Sequence, residues 1–134
     1  MDLAAYCAEL GRKARVAERA LAAATGASKD LWLRRSAEAL EKRAGDILEA
    51  NAQDVEAARS AGLSAALIDR LRLTPERIRA AADSVRAVAA LPDPIGRVLE
   101  GRTMPNGLNI QKITVPLGVI LFIYESRPNV TVDA

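Results

Sequence analysis

The residues with the clearest chemical potential lie in the last ten positions of the chain, 125–134. They follow six apolar residues, 119–124, and include Arg127, Pro128 and Asn129. Pro128 is suited to open a helix, and open α/β sheets bind ligands where a strand leads into a helix. The helix N-terminus offers unpaired N–H groups, Arg127 adds a permanent cation and Asn129 adds an amide donor. Together they could hold a phosphate, or a carbonyl oxygen that becomes an oxyanion.

A purely structural role explains the same residues. Arg127 would pair with Glu125 or with a later carboxylate, Pro128 would start a helix, and Asn129 would cap its backbone. Helix caps far outnumber oxyanion holes, so the residue types alone favour this interpretation.

Other polar groups offer little further chemistry. Cys7 lies on the apolar side of a predicted helix with no neighbour that would favour a thiolate, which indicates a packing residue. One cysteine and no histidine argue against a zinc site and an intrachain disulfide. Residues 51–54 are more simply helix-end caps than a polar site, and the arginines within 12–19 and at 34–35 are more simply solvated helix faces. No general base and no glycine-rich phosphate loop is found.

Composition and charge exclude several functional classes. The 134 residues carry a formal net charge of +2 and are 3% aromatic, less basic excess and fewer stacking rings than a nucleic-acid groove needs. The longest apolar run, 119–124, is far shorter than the roughly 20 residues of a membrane-spanning helix. The N-terminus has no basic region followed by an apolar one, so no signal peptide is predicted. We therefore expect a cytoplasmic protein without nucleic-acid or membrane partners.

Up to residue 92 the apolar spacing predicts one helix after another. Gly26 is predicted to end the first helix, and Ser28 to cap the second. Thr74-Pro75-Glu76 combines a capping threonine, a proline at the first helical position and an acid in the first turn, which predicts a helix over 76–90. Large apolar residues are few, so these helices need another surface to pack on.

The character of the chain changes at Leu91-Pro92-Asp93-Pro94, where two prolines predict a domain boundary. The turn residues Pro105-Asn106-Gly107 lead into 108–115, whose alternation predicts a strand with one wet face and a bulge near Lys112-Ile113. Residues 119–124 do not alternate and predict a strand buried on both faces, as in a parallel sheet covered by helices. This chain does not supply the neighbours of such a strand, so we expect the N-terminal part of a longer protein, or completion by another chain.

Longer motifs resemble the gamma-glutamyl phosphate reductase family of the aldehyde dehydrogenase superfamily. The resemblance runs almost end to end and rests above all on two strings, VPLGVI at 115–120 and IYESRPNVT at 123–131. It implies an α/β fold of the aldehyde dehydrogenase type. An N-terminal helical layer over 1–92 would be followed, over 93–134, by a strand pair and the incomplete start of a Rossmann-like nucleotide-binding domain.

The resemblance also implies a reaction and residue roles. The reaction is the NADPH-dependent reduction of L-glutamate 5-phosphate to the semialdehyde and phosphate in proline biosynthesis, by an enzyme that is a homo-oligomer when full length. Asn129 falls where the superfamily's asparagine stabilises an oxyanion, and Arg127 is a candidate contact for the substrate's phosphate or carboxylate.

The family's nucleophilic cysteine lies beyond residue 134, and Cys7 does not align with it. The 134-residue chain alone is therefore expected to be inactive. The alternative is a non-catalytic helical interaction module that docks to a partner or to a full-length subunit.

Overall fold

The computed structural model describes residues 2–125 and 127–134, which form a mostly helical fold with a small two-stranded sheet. In chain order the elements are α1 (Leu3–Ala22), α2 (Gly26–Lys42), α3 (Ala44–Ser60), α4 (Ala65–Leu71), α5 (Pro75–Ala89), β1 (Val98–Thr103), β2 (Asn109–Ile113) and α6 (Val130–Asp133). Within the described ranges, no helix combines the length and apolarity that a membrane crossing requires.

The chain divides into two compact units, and each is discontinuous in sequence. The first comprises Met1–Gly26 and Pro92–Leu121 and contains α1 and both strands. The second comprises Ala27–Leu91 and Phe122–Ala134 and contains the other helices, apart from the first residue of α2. The division into a domain over 1–92 and another over 93–134 stays a prediction.

α1 begins after Asp2, whose carboxylate accepts the backbone N–H groups of Ala4 and Ala5. It contains no buried residue and ends at Ala22, so the prediction that Gly26 ends the first helix is wrong. Gly26 instead opens α2, and the predicted cap Ser28 lies inside that helix. The last turn of α1 closes through the Ala23 N–H, which donates to the Ala20 carbonyl at 3.3 Å, and therefore needs no glycine.

The hairpin turn forms where the turn residues predict it. The Gly107 N–H donates to the Met104 carbonyl at 2.9 Å, and the Met104 N–H donates to the Leu108 carbonyl at 2.8 Å. Gly107 has a φ of +85°, which favours glycine at this position. Asn106 Oδ1 accepts the Leu108 N–H at 3.1 Å and closes the turn.

β1 and β2 are antiparallel, with Glu100 paired with Lys112 and Val98 paired with Ile113. The register shifts between Val98 and Glu100, so the predicted bulge near Lys112-Ile113 is confirmed, with the extra residue on the facing strand. β1 itself was not predicted, because its central residues Glu100-Gly101-Arg102 lack an apolar alternation.

Residues 119–124, predicted as a strand buried on both faces, form neither strand nor helix. Their side chains are exposed, from 45% at Tyr124 to 86% at Ile123. A buried strand needs backbone partners at its edges and cover on its faces, and the described residues supply neither to this segment. The strand pair predicted within 93–134 is therefore corrected to β1 with β2.

The second unit has a small core built from alanine and valine. Ala37 of α2 and Ala82 of α5 are completely buried and cluster with Val85. Leu33, Leu40 and, from α6, Val132 pack against this cluster. As the composition indicates, few large apolar side chains are buried in this core. Charged and polar contacts therefore also help to hold the helices together.

One such contact joins α2 to α5. Arg86 Nη1 donates to Glu41 Oε1 at 2.9 Å, and Arg86 Nη2 donates to Glu41 Oε2, a two-pronged arrangement that suits the planar guanidinium. Arg86 also donates to Asp83 Oδ1 at 2.9 Å. The hydrogen bonds from Arg86 lower the pKa of Glu41 below its ordinary value near 4.5 and raise the pKa of Arg86.

This pair predicts a pH-dependent contribution to stability. Because the pKa of Glu41 is depressed in the folded state, its contribution is complete above pH 4.5 and is lost as the pH falls through the folded pKa. We expect the difference in free energy of unfolding between wild type and Glu41→Gln to be constant above about pH 5.5 and to shrink in more acidic solution. Urea unfolding at several pH values measures this. Glu38→Gln, at an exposed position on the same helix, is the control, and a Glu41→Gln difference that does not change with pH would contradict the prediction.

Candidate active site

Both residues singled out at the end of the chain, Arg127 and Asn129, line one cavity of about 510 Å³ in the second unit. The volume falls in the range of about 300 to 1,000 Å³ that small-molecule sites occupy. The wall is completed by residues of α4, of the α4–α5 connection, of α5 and of α6: Asp69, Arg70, Arg72, Leu73, Arg77, Ala80, Ala81, Ser84, Pro128 and Asp133. The structure thus brings the two predicted site residues together in one concave setting that contains several charged side chains.

A tight backbone turn presents Asn129 at the start of α6. The Val130 N–H donates to the Arg127 carbonyl at 3.0 Å, and the Asn129 carbonyl accepts the N–H groups of Val132 and Asp133 at 2.9 and 3.0 Å. Pro128 was expected to open a helix itself, but α6 begins two residues later, at Val130, with Asn129 at the N-cap position. α6 is a single turn of four residues, however, so a helix dipole contributes little to this site.

The side chain of Asn129 does not cap α6, so the structural interpretation of this residue is wrong in that respect. Instead, Asn129 Nδ2 donates to Asp133 Oδ2 at 2.9 Å. A side-chain amide carries two N–H donors, so one of them stays available for a second acceptor. The Asp133 contact holds the amide in one orientation while leaving that donor available.

The residues around this turn are anchored to the second unit. The hydroxyl groups of Tyr124 and Thr131 lie 2.6 Å apart and form a hydrogen bond. Val132 packs on the cluster of Ala37, Ala82 and Val85. The segment that carries Asn129 is therefore fixed by a polar contact on one side and an apolar contact on the other.

Arg127 makes no ion pair or side-chain hydrogen bond with any of the described residues, 2–125 and 127–134. The pairing with Glu125 or a later carboxylate, offered as its structural role, is absent from this part of the chain. Its guanidinium is exposed at the cavity, and the side chains of the described residues leave its donors unused.

Three further arginines line the same cavity, and the sequence analysis did not single them out. Arg77, in the first turns of α5, donates through Nη1 to the carbonyl oxygens of Asp69 and Arg72, both at 2.6 Å. Its Nη2 lies 3.3 Å from Asp69 Oδ2. Arg77 therefore satisfies carbonyls that the end of α4 leaves unpaired.

Arg70 and Arg72 occupy the last turn and the C-cap of α4. A signal for these residues exists in the sequence. The start signal Thr74-Pro75-Glu76 places α5 directly after α4, so the arginines at 70, 72 and 77 must flank one short turn between helices.

Asn51 fixes that same turn from α3. It is 6% exposed, its Nδ2 donates to the Leu71 carbonyl at 2.9 Å, and its Oδ1 accepts the Leu73 N–H at 2.7 Å. The interpretation of Asn51 as a local helix-end cap is wrong, because α3 continues through Asn51. Its side chain instead binds backbone groups at the end of α4.

The charges of the cavity are unbalanced. Four arginines face it against two aspartates, and both aspartates are engaged, Asp69 with Arg77 and Asp133 with Asn129. Of the four arginines, Arg77 is held by its own chain. The electrostatics of the cavity therefore favour an anion.

Metal and nucleotide chemistry find no support in these residues. In the part of the chain that the structure describes, no group of three or more histidine, cysteine, aspartate or glutamate side chains could hold a metal ion. Residues 119–124 are not paired into a sheet, and no glycine-rich phosphate loop follows them. The described residues therefore do not form a dinucleotide site, and no cofactor contact is assigned.

Cys7 lies on α1 in the first unit and is exposed. The expectation of a packing residue is not met in this structure, because none of the residues of α1 is buried.

Comparisons with known proteins agree on one family name. No protein-family model matches the chain. It is 53% identical over 133 residues to the gamma-glutamyl phosphate reductase of Mesorhizobium japonicum and 52% identical over 133 residues to that of Brucella anthropi. Each alignment covers 99% of this chain and 31% of the relative.

Two crystal structures with the same name are similar to this fold. The Thermotoga maritima protein matches with a TM-score of 0.90 and 43% identity, over 92% of this chain and 30% of that one. The Saccharomyces cerevisiae protein matches with a TM-score of 0.88 and 32% identity, over 93% of this chain and 32% of that one. The chain thus spans about a third of the length of these relatives and is homologous, over nearly its whole length, to the N-terminal part of gamma-glutamyl phosphate reductases.

Proposed function

We propose that this segment is the N-terminal part of a cytoplasmic enzyme of proline biosynthesis. The complete protein reduces L-glutamate 5-phosphate to L-glutamate 5-semialdehyde and phosphate, with NADPH as the hydride donor. Identity of 53% to a curated relative of that name supports the proposal. The observation that carries it is the shared cavity of Asn129 and Arg127, in which an amide donor and a free guanidinium face one space.

In this proposal Asn129 stabilises the oxyanion. A thiolate supplied from outside these residues attacks the carbonyl carbon of the acyl phosphate, and the carbonyl oxygen gains negative charge. When the bond to the phosphate oxygen breaks, phosphate leaves with the electron pair. The Asn129 N–H that Asp133 does not use donates to the charged oxygen, where a preorganised donor has its largest effect.

Asp133 and Arg127 have separate roles. Asp133 is a positioning residue, because it acts on the substrate only through the orientation of the Asn129 amide. Arg127 contacts an oxyanion of the substrate, either the phosphate or the carboxylate. Cys7 is given no role in catalysis.

The rest of the enzyme lies outside the described cavity. We propose that the complete protein has the aldehyde dehydrogenase-like α/β layout, with a helical segment over 1–92 and the start of the nucleotide-binding domain over 93–134. It is a homo-oligomer, and the contacts to NADPH come from other parts of the protein. No step is assigned to the cofactor here, because the described residues do not form its site.

A second function has one observation in its favour. α1 exposes Leu3, Val16 and Leu21 at 60% or more of their surface, as a helix that docks to a partner or to a full-length subunit would. This alternative is a non-catalytic interaction module.

One assay separates the two functions. NADP⁺ reduction is measured with glutamate semialdehyde and inorganic phosphate, for the complete protein that contains this segment and for the 134-residue chain. We expect the complete protein to be active and the 134-residue chain to be inactive. Activity in the 134-residue chain would overturn the assignment of the nucleophile to a part outside it, and silence of both would favour the interaction module.

A further inference from the structure

We propose that Arg70 and Arg72 form an oxyanion-binding site with Arg127, and that this site holds one anionic end of the substrate. The inference rests on the proposed function for the identity of the ligand. The chemistry of the site, recognition of a phosphate or a carboxylate by guanidinium groups, stands on the structure alone.

The three guanidinium groups share one feature, the lack of a carboxylate partner among the described residues. Among residues 2–125 and 127–134, no carboxylate pairs with Arg70, Arg72 or Arg127, although all three line one cavity. Elsewhere on this chain some arginines are paired with an acid three residues away, as Arg12 is with Glu9 and Arg59 with Glu56, and others are not. Three unpaired cations around one concavity repel each other, and a bound anion relieves that repulsion.

The backbone that carries Arg70 and Arg72 is held firmly in place. Their backbone lies in the end of α4, whose carbonyls at Asp69 and Arg72 are held by Arg77. The adjoining groups at Leu71 and Leu73 are held by the buried side chain of Asn51. A connection fixed from both α3 and α5 suits a binding site, because its backbone has little conformational freedom left to lose when a ligand arrives.

Another cavity of the second unit, of about 700 Å³, provides a contrast. That cavity is lined mainly by apolar side chains, and its arginine, Arg43, lies 3.2 Å from Asp46. Of these two cavities, the one that holds Asn129 therefore also holds arginines without an ion pair among the described residues.

The test uses the complete protein that contains this segment and follows the reaction from semialdehyde, phosphate and NADP⁺. We compare wild type with Arg70→Gln and Arg72→Gln, and use Arg79→Gln as the matched control. Arg79 lies on α5, is paired with Glu76 and does not line the cavity. Each substitution removes a charge-assisted hydrogen bond, so we expect the KM of the substrate that the arginine binds to rise about tenfold.

The two substrates identify the end that is bound. A higher KM for phosphate, with the KM for semialdehyde unchanged, assigns the arginines to the phosphate. The reverse assigns them to the carboxylate of the semialdehyde. Unchanged values for both substrates in both variants, or equal changes in Arg79→Gln, would overturn the proposal.

A binding measurement separates this proposal from the proposed function. Calorimetric titration of wild type with inorganic phosphate and with glutamate measures anion binding at the oxyanion site in the absence of catalysis. If wild type is inactive but binds one of these anions more tightly than the Arg70→Gln Arg72→Gln variant, the proposed function fails and the oxyanion site stands. If wild type is active and neither its anion binding nor its KM values respond to the substitutions, the oxyanion site fails and the proposed function stands.

Discussion

Replacing Asn129 with alanine in the complete protein is expected to lower kcat about 100- to 1000-fold, the loss seen when a single oxyanion donor is removed. The KM for phosphate should change little, because the lost hydrogen bond strengthens only as the carbonyl oxygen becomes charged. Steady-state rates of NADP⁺ reduction with glutamate semialdehyde and phosphate measure both constants. A fall in kcat of less than about threefold would be incompatible with an oxyanion role for Asn129.

Two companion variants distinguish orientation of the amide from general damage to the turn. Asp133→Ala removes the carboxylate that accepts from Asn129 Nδ2, and is expected to lower kcat by less than Asn129→Ala does. Thr131→Val removes the hydroxyl partner of Tyr124 but leaves the Asn129 amide in place, and should keep kcat within a factor of a few. If Thr131→Val lowered kcat as much as Asp133→Ala, the contact with Asp133 would be merely structural.

The largest effect on stability is expected at Asn51. Asn51→Ala leaves the Leu71 carbonyl and the Leu73 N–H without their side-chain partner in a partly buried position. Each unsatisfied group of this kind costs about 1 to 3 kcal/mol, so the free energy of unfolding should fall by about 2 kcal/mol or more. Urea unfolding measures this change.

Gln53→Ala provides the matched comparison for Asn51. It lies two residues along α3 at an exposed position, and its expected effect is within about 0.5 kcal/mol. Equal effects of the two substitutions would show that the hydrogen bonds of Asn51 contribute nothing to the fold. A loss in Asn51→Ala alone would show that the turn between α4 and α5 is held from α3.

Local signals with a complete physical basis could be predicted from the sequence. Thr74-Pro75-Glu76 begins α5 at Pro75, and the Thr74 hydroxyl accepts the Arg77 N–H at 3.2 Å, so capping alone determines this helix start. Gly107 and Asn106 define the hairpin turn in the same way. In these cases the groups that interact are only a few residues apart.

Features that depend on distant partners could not be predicted. The apolar residues 119–124 satisfy the pattern of a buried strand, but a strand exists only when other segments pair with it. The role of Asn51 depends on Leu71 and Leu73, twenty or more positions away, and residue type alone does not indicate such a partner.

The candidate site divides in the same way. Arg127 and Asn129 were identified from their position after an apolar run and before a helix. Arg70 and Arg72 reach the same cavity only because α4 and α6 belong to one compact unit. Spacing along the chain does not indicate that Arg70 and Arg72 lie near Arg127 and Asn129.

The order of the chain in the second unit has a consequence for how the protein folds. Ala27–Leu91 and Phe122–Ala134 pack into one unit, although Pro92–Leu121 separates them in sequence. Joining the two parts closes a loop of about 30 residues, at an entropic cost on the order of 3 kcal/mol plus a constant. During synthesis α2 to α5 leave the ribosome well before Val132, so docking of the Asn129 turn onto α5 is a late event. Arg70, Arg72 and Arg77 are in place first, and Arg127 and the Asn129 amide join them afterwards.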